Sequence, residues 1–218
     1  NFKKEFWTKI KDQKKDSLKI SAAFTGNISL RERYALNSSI PLVKFDKSKI
    51  SIINKDSVAV NFTTEYDEFD QKMFLDFKLE PQEKYVIKAF PGAMTDFYDN
   101  VNDTLSYKVT TRNVTDYANM KITLKNANRF PIIIQLTDKD GKVKASAITE
   151  NSPIVEFFAL EPNTYTIRAI YDDNKNGVWD TGNFLQKLQP EEVIYLPEEI
   201  KLNPNWDWEQ NFDLSIKR

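Results

Sequence analysis

The stretch "WDWEQNFDLSI" (Trp206 to Ile216) places Trp206, Trp208, Phe212, Leu214 and Ile216 on one parity. Asp207, Glu209, Asn211, Asp213 and Ser215 fall on the other. In an extended chain successive side chains point to opposite faces, so this alternation describes a strand with one buried and one wetted side. Trp206 and Trp208 share their parity with Phe212, Leu214 and Ile216, which is the composition of a core face. They are therefore expected inside a sheet, and not as an aromatic platform for sugars.

The same period of two recurs outward from this strand. In "SLKISAAF" it links Leu18, Ile20, Ala22 and Phe24; in "VAVNFT" it links Val58, Val60 and Phe62. It links Leu75, Phe77 and Leu79 in "FLDFKL", and Leu105, Tyr107 and Val109 in "LSYKV". The pattern pauses at "TTRNVTDYAN" (Thr110 to Asn119) and restarts with "KITLKN", "PIIIQLT", the turn "DKDGK", "IVEFFAL" and "YTIRAIY". Short strands separated by turns at this frequency predict a β-sandwich, and the pause predicts two. The expected fold is all-β, with two tandem antiparallel β-sandwiches over residues 17–112 and 117–218 and a boundary near residues 111–117. Residues 1–16, which include the Lys-rich "NFKKEFWTKIKDQKK", read as a linker or the end of a preceding domain.

Composition narrows the chemistry. The 218 residues carry a formal net charge of −1, so no basic excess points to nucleic acid and no basic helix to a membrane surface. No apolar run reaches the length of a membrane-spanning helix. There is no Cys and no His, which removes thiolate sites, the commonest general base and the usual zinc ligand. Gly26, Gly92, Gly141, Gly177 and Gly182 sit among turn residues and form neither a GxGxxG nor a P-loop. No catalytic residues are expected, and the chain is read as not an enzyme. It opens on Asn1, which predicts a mature form or a fragment with room for a signal upstream.

Six acidic or amide residues surround Gly177 in "DDNKNGVWDTGN" (Asp172 to Asn183). With Asp172 as position one of a calcium loop, Asn174 and Asn176 fall at three and five and Gly177 at six. The Val178 carbonyl falls at seven, Asp180 at nine and Asn183 at twelve, where the strong site has a bidentate Glu. The alternative is an Asx-rich turn, in which Asp and Asn side chains bond their own backbone. The missing Glu tips the balance toward the turn. No cofactor is required under either reading; Ca²⁺ is the one candidate. Trp179, inside this polar loop, is the aromatic residue expected to touch a partner. A second acidic run, "EYDEFD" (Glu65 to Asp70), reads as a hairpin tip.

Two stretches resemble known families. "IPLVKFDKSKISI" together with "KYVIKAFPGAMTDFYDNVNDTLSYKVTT" resembles the S-layer-type bacterial Ig-like domain, on Pro41, Asp46, Ile50, Tyr85, Pro91, Gly92, Asp96, Asn102 and Leu105. "FALEPNTYTIRAIYDDNKNGVWDTGNFLQKLQPEEVIYLP" resembles the C-terminal part of Bacteroidota Ig-like-domain envelope proteins, which is similar to prealbumin-like, carboxypeptidase-regulatory-like sandwiches. Its Leu160, Pro162 and Tyr165 step leads into a strand, with Asn163 where such modules often carry Gly. The resemblance implies export, a cell-envelope location at the outer membrane and a lipid anchor on a Cys upstream of Asn1. It implies other envelope proteins as partners, within an assembly or secretion complex, and membrane contact only through that anchor. The other readings are a carbohydrate-binding module and an accessory domain of an exported hydrolase. "DSL", "DSV" and "DTL" resemble the Bacteroidota O-glycosylation sequence and nominate Ser17, Ser57 and Thr104.

Overall fold

The computed structural model describes residues 16–215. The chain forms two compact units. The first runs to Ile28 and takes in Arg33–Leu79 and Glu83–Thr110; the second takes in Ser29–Glu32, Glu80–Gln82 and everything from Thr111. The fold is all-β, and each unit is a β-sandwich of facing sheets around its own core. Residues 1–15, and Ile216 of the opening strand, lie outside the described residues.

The first unit contains β1 (Ile20–Ala22), β2 (Gly26–Asn27), β3 (Tyr34–Ser38), β4 (Leu42–Phe45) and β5 (Ile50–Ile53). It continues with β6 (Thr63–Asp67), β7 (Lys72–Asp76), β8 (Lys84–Ala89), β9 (Met94–Asp96) and β10 (Leu105–Thr110). One sheet runs β1-β3-β7-β6, the other β2-β10-β8-β5, and β4 and β9 form a separate ladder. Tyr34, Leu36, Met73 and Leu75 of the first sheet meet Ile52, Tyr85, Ile87 and Val109 of the second in one core. Leu18, Ile20, Ala22 and Phe24 pack on that core with the predicted parity, although only Ile20–Ala22 ladder.

Val58 to Phe62 of "VAVNFT" do not form a strand. The Asn54 side chain accepts the N–H groups of Asp56 (3.1 Å) and Val58 (2.9 Å), and Ser57 takes a φ of 61°. Across this tight turn the Asn54 N–H donates to the Val58 carbonyl, the Val60 N–H donates to the Ile52 carbonyl, and Ala59 bridges Ile53. Val60 and Phe62 still pack on the core, whereas Val58 is exposed. Asp46 caps a 3₁₀ turn at Lys47–Lys49, and β5 begins directly after it. Glu65 to Asp70 does end a hairpin, with Asp67 accepting the Phe69 and Asp70 N–H groups.

The second unit opens with a 3₁₀ turn, Val114–Asp116, closed by a reciprocal capping box between Asn113 and Asp116. Its strands are β11 (Ala118–Lys125), β12 (Ile132–Thr137), β13 (Val143–Thr149) and β14 (Ile154–Leu160). After them come β15 (Thr164–Tyr171), β16 (Val193–Tyr195), β17 (Ile200–Lys201) and β18 (Asp207–Asp213). One sheet is β14-β11-β18 and the other β13-β12-β15-β16, with β17 also on β15. Met120, Ile122, Phe157 and Phe212 face Ile134, Leu136, Tyr165 and Ile167 across the core. Burying each such side chain stabilises the fold by about 1.5–3 kcal/mol, which is why the parity pattern dictates register.

Most pairs are antiparallel, but each unit has one parallel pair at a sheet edge, β2 on β10 and β18 on β11. Phe212 and Leu214 are buried and Trp208 packs against the core, as the alternation requires. Trp206 precedes β18; it is 42% exposed and stacks on Trp208, ring centroids 6.0 Å apart. Its parity is correct, but the strand has not yet begun there. Tyr165 is buried, and its hydroxyl donates to the Glu161 carbonyl at 2.7 Å, fixing the corner that leads into β15.

Candidate functional site: an acidic loop and the apolar turn beside it

β15 delivers Tyr171 and Asp172 into the interior and then stops. Asp172, 2% exposed, holds the loop from within. Its Oδ1 accepts the Asn176 N–H at 3.1 Å and its Oδ2 the Gly177 N–H at 2.9 Å. The Asn174 side-chain oxygen accepts the Asn176 N–H (3.0 Å), and the Asn176 oxygen accepts the Val178 N–H (2.9 Å). Two Asx turns, at Asn174 and Asn176, thus follow one another inside the wider clasp of Asp172, the local chemistry that Asp and Asn favour in turns. Both amide groups point their Nδ2 at one oxygen, Oδ2 of Asp180, at 2.6 Å from Asn174 and 2.8 Å from Asn176. Gly177, at φ +80°, supplies the left-handed backbone that the sharp turn needs.

Glu191 closes the loop from the far side. Its carboxylate accepts the N–H groups of Asp173 (2.9 Å) and Asp180 (3.1 Å). Its backbone carbonyl accepts the Trp179 indole N–H at 3.3 Å, and its own N–H donates to the Asp180 carbonyl at 3.1 Å. Arg129 braces the root, donating to Asp173 and Glu192. The Asp173 carboxylate first, and Glu192 after it, raise the Arg129 guanidinium above its ordinary value against the opposing effect of burial.

The chain between Asp180 and Glu191 forms a second turn. Asn183 and Leu188 exchange two backbone hydrogen bonds, 3.0 and 2.9 Å, and the Asn183 side chain accepts the Gln186 N–H at 3.1 Å. At the head of this turn Phe184 and Leu185 are 96% and 91% exposed. A cavity of about 530 Å³ lies between the two turns, lined by Asp173, Asn174, Asp180, Asn183, Leu188 and Glu191 among others.

The structure therefore brings Asp172, Asn174, Asn176 and Asp180 into one hydrogen-bonded loop, with Val178 exposed on it. Asn183 is engaged in its own turn. Trp179 is 44% exposed and tethered through its N–H. Among the described residues no three acidic side chains converge as a metal-holding group. The donors suit a hard cation in kind, since all are oxygens; an ionised carboxylate keeps lone pairs beyond one N–H contact. Ser17, Ser57 and Thr104 are all exposed. Glu191, Arg129, Phe184 and Leu185 are the residues that sequence reasoning missed. Glu191 and Arg129 act on partners 11 to 63 residues away, beyond any local pattern. The adjacent Phe184 and Leu185 fit no period of two and stand in a polar stretch, which was the available signal.

No protein-family model matches the chain, and no curated protein matches it. Among solved structures, the N-terminal part of the bacterial S-layer protein SbsC is 12% identical with a TM-score of 0.41; the match covers 83% of this chain and 43% of that one. Escherichia coli α-2-macroglobulin spanning domains MG0-NIE-MG1 gives 11%, 0.39, 82% and 71%. BcpA, the major pilin subunit of Bacillus cereus, gives 11%, 0.32, 91% and 70%. All three TM-scores fall below 0.5, and the two-sandwich description rests on the sheets and registers of this chain. Among the described residues no helix is long and apolar enough to cross a membrane.

Proposed function

We propose that this chain is a non-catalytic interaction and scaffold part of an exported Bacteroidota envelope lipoprotein. It would act in an outer-membrane assembly or secretion complex, anchored through a Cys upstream of Asn1. The observation that carries this reading is the loop pair at 172–191. It is a pair of hydrogen-bonded turns that displays Trp179, Phe184 and Leu185 at the surface. Surface residues with large apolar side chains on a held backbone are suited to contact, since little freedom is lost on binding. Photo-crosslinking from position 179 in native membranes tests the reading. Capture of outer-membrane proteins supports it; capture of cytoplasmic proteins alone would sink it. Turnover of a polysaccharide, ester or peptide by the purified chain would equally overturn the non-catalytic assignment. Under the same reading Ser17, Ser57 and Thr104 carry O-linked sugar in the native host. An unmodified intact mass of native material would refute that.

A second reading concerns the loop itself and is favoured by the burial of Asp172 behind Asn174, Asn176 and Asp180. Here Ca²⁺ braces the loop, with Asp172 and Asp180 supplying charge and Asn174, Asn176, Asn183 and the Val178 carbonyl neutral oxygens. Two carboxylates imply a Kd of roughly 10⁻⁴ to 10⁻³ M. Free calcium at 100 times Kd would then stabilise the fold by about 2.7 kcal/mol. Calorimetry that detects no heat at millimolar calcium leaves the loop as an Asx-rich turn.

A further inference from the structure

We propose that the turn bearing Phe184 and Leu185, with the acidic cavity behind it, is a docking surface for residues 1–15 of a second copy of this chain. The inference goes beyond the scaffold reading, which stands or falls on other partners.

Three observations carry it. First, the turn is built to hold its apolar head outward. The Asn183–Leu188 pair and the Asn183 cap on Gln186 fix its base. At Gly182, φ is +79° and an added Cβ would lie 2.7 Å from the Leu188 carbonyl and the Pro190 nitrogen. The backbone on which Phe184 and Leu185 stand is thus already ordered, which removes part of the entropy cost of binding. Aromatic side chains such as Phe184 are enriched at interfaces, and Leu185 extends the apolar area beside it.

Second, the surroundings are acidic. Residues 172–191 carry Asp172, Asp173, Asp180 and Glu191 against Lys175 and Lys187. Two such loops placed face to face would bring like charges together, so a symmetric contact of this surface with itself is disfavoured. The occupant must be basic and apolar at once.

Third, the chain contains such a segment. "NFKKEFWTKIKDQKK" holds Lys3, Lys4, Lys9, Lys11, Lys14 and Lys15 against Glu5 and Asp12, a surplus of four positive charges. The whole chain is at −1, so residues 16–218 carry −5. Phe2, Phe6, Trp7 and Ile10 are interleaved with the lysines. Apolar side chains can lie against Phe184 and Leu185 while a lysine enters the cavity beside Asp180 and Glu191. A contact between different surfaces of two copies is heterologous, and it propagates or closes into a ring.

Sedimentation velocity on the full 218-residue chain at low ionic strength tests the inference, with circular dichroism confirming the fold of each variant. The weight-average mass should rise with protein concentration and fall as salt is added. A synthetic peptide of residues 1–15 should return it to monomer, and a scrambled peptide of the same composition should not. The Phe184→Ser/Leu185→Ser double variant should self-associate at least about tenfold more weakly, as expected for the loss of two anchors. A chain that stays monomeric at every concentration overturns the inference. So does self-association indifferent to the peptide or the double variant, or equal competition by the scrambled peptide. If the wild type instead binds phosphatidylethanolamine–phosphatidylglycerol vesicles, loses that binding in the double variant and never self-associates, the turn belongs to a membrane surface and the inference fails.

Discussion

The guanidinium of Arg129 lies over the ring of Tyr171, 3.8 Å from its centroid, while its N–H groups reach Asp173 and Glu192. One side chain thereby ties the end of β15 to the first exposed loop residue and to the returning strand. Arg129→Ala should destabilise the second unit by about 1–2 kcal/mol, from one cation–π contact and two partly exposed ion pairs. Arg129→Lys should recover little, because an ammonium cannot stack and fork at once. Urea unfolding followed by Trp fluorescence checks both.

Asp172 is buried, and both its oxygens accept backbone N–H groups. Asp172→Ala would leave the Asn176 and Gly177 N–H groups without that acceptor and should cost about 1–3 kcal/mol. Hydrogen exchange should show the Gly177 amide losing protection while the core strand β12 keeps its own.

Gly182 and Gly141 have nearly the same φ, +79° and +76°, but different surroundings. A methyl at Gly141 meets nothing within 4 Å, so Gly141→Ala should cost only about 1 kcal/mol from backbone strain. Gly182→Ala meets backbone that cannot rotate away and should open the Asn183–Leu188 turn. The amide exchange of Leu188 distinguishes the two.

Burial pushes the Tyr165 hydroxyl from an ordinary value of 10.0 up to about 12. The folded state then holds this proton more tightly than the unfolded chain does. Its contribution to stability is complete below pH 10 and drains away between pH 10 and 12. Tyr165→Phe should flatten that alkaline decline. It should also remove the bond to Glu161, lowering stability at neutral pH by about 1 kcal/mol. Unfolding midpoints across the alkaline range measure both effects.

At the acid end, the hydrogen bond from Arg33 lowers Asp76 below its ordinary range, with the guanidinium charge assisting. That stability is present above the usual carboxylate value and is lost as pH falls through the lowered one. Arg33→Met should shift acid unfolding of the first unit to higher pH, readable by circular dichroism.

The strand parities of Leu75, Val109, Ile122 and Phe212 were legible because burial on one face of a sheet leaves a period of two in the sequence. The Val58–Phe62 stretch carried the same period and is not a strand, since the Asn54 side chain takes the Asp56 and Val58 N–H groups and winds the chain into a tight turn at its start. Sequence order located the acidic loop, and the chemistry of Asn174 and Asn176 forecast their Asx turns. What closes the loop was not legible. Glu191, Arg129 and the Asn183 turn reach it through contacts that exist only once β12, β15 and β16 are side by side. A repeated phrase was also there to be read. "LEPQEKY" (Leu79 to Tyr85) and "LEPNTY" (Leu160 to Tyr165) each end in a buried tyrosine whose hydroxyl donates to a carbonyl upstream, Lys78 in one and Glu161 in the other.

β11 and β18 run in the same direction, paired from Asn119 with Asp207 through Lys125 with Asp213. The second unit is therefore approached at one end of this pair and left at the opposite end. Tension applied between Ala118 and Asp213 would slide the two strands lengthwise past one another. The hydrogen bonds across the pair would share that load together, where an antiparallel hairpin pulled at its open end would yield one rung at a time. The arrangement gives the sandwich the mechanics of a lap joint, resistant along the very axis on which a chain of such units would be stretched.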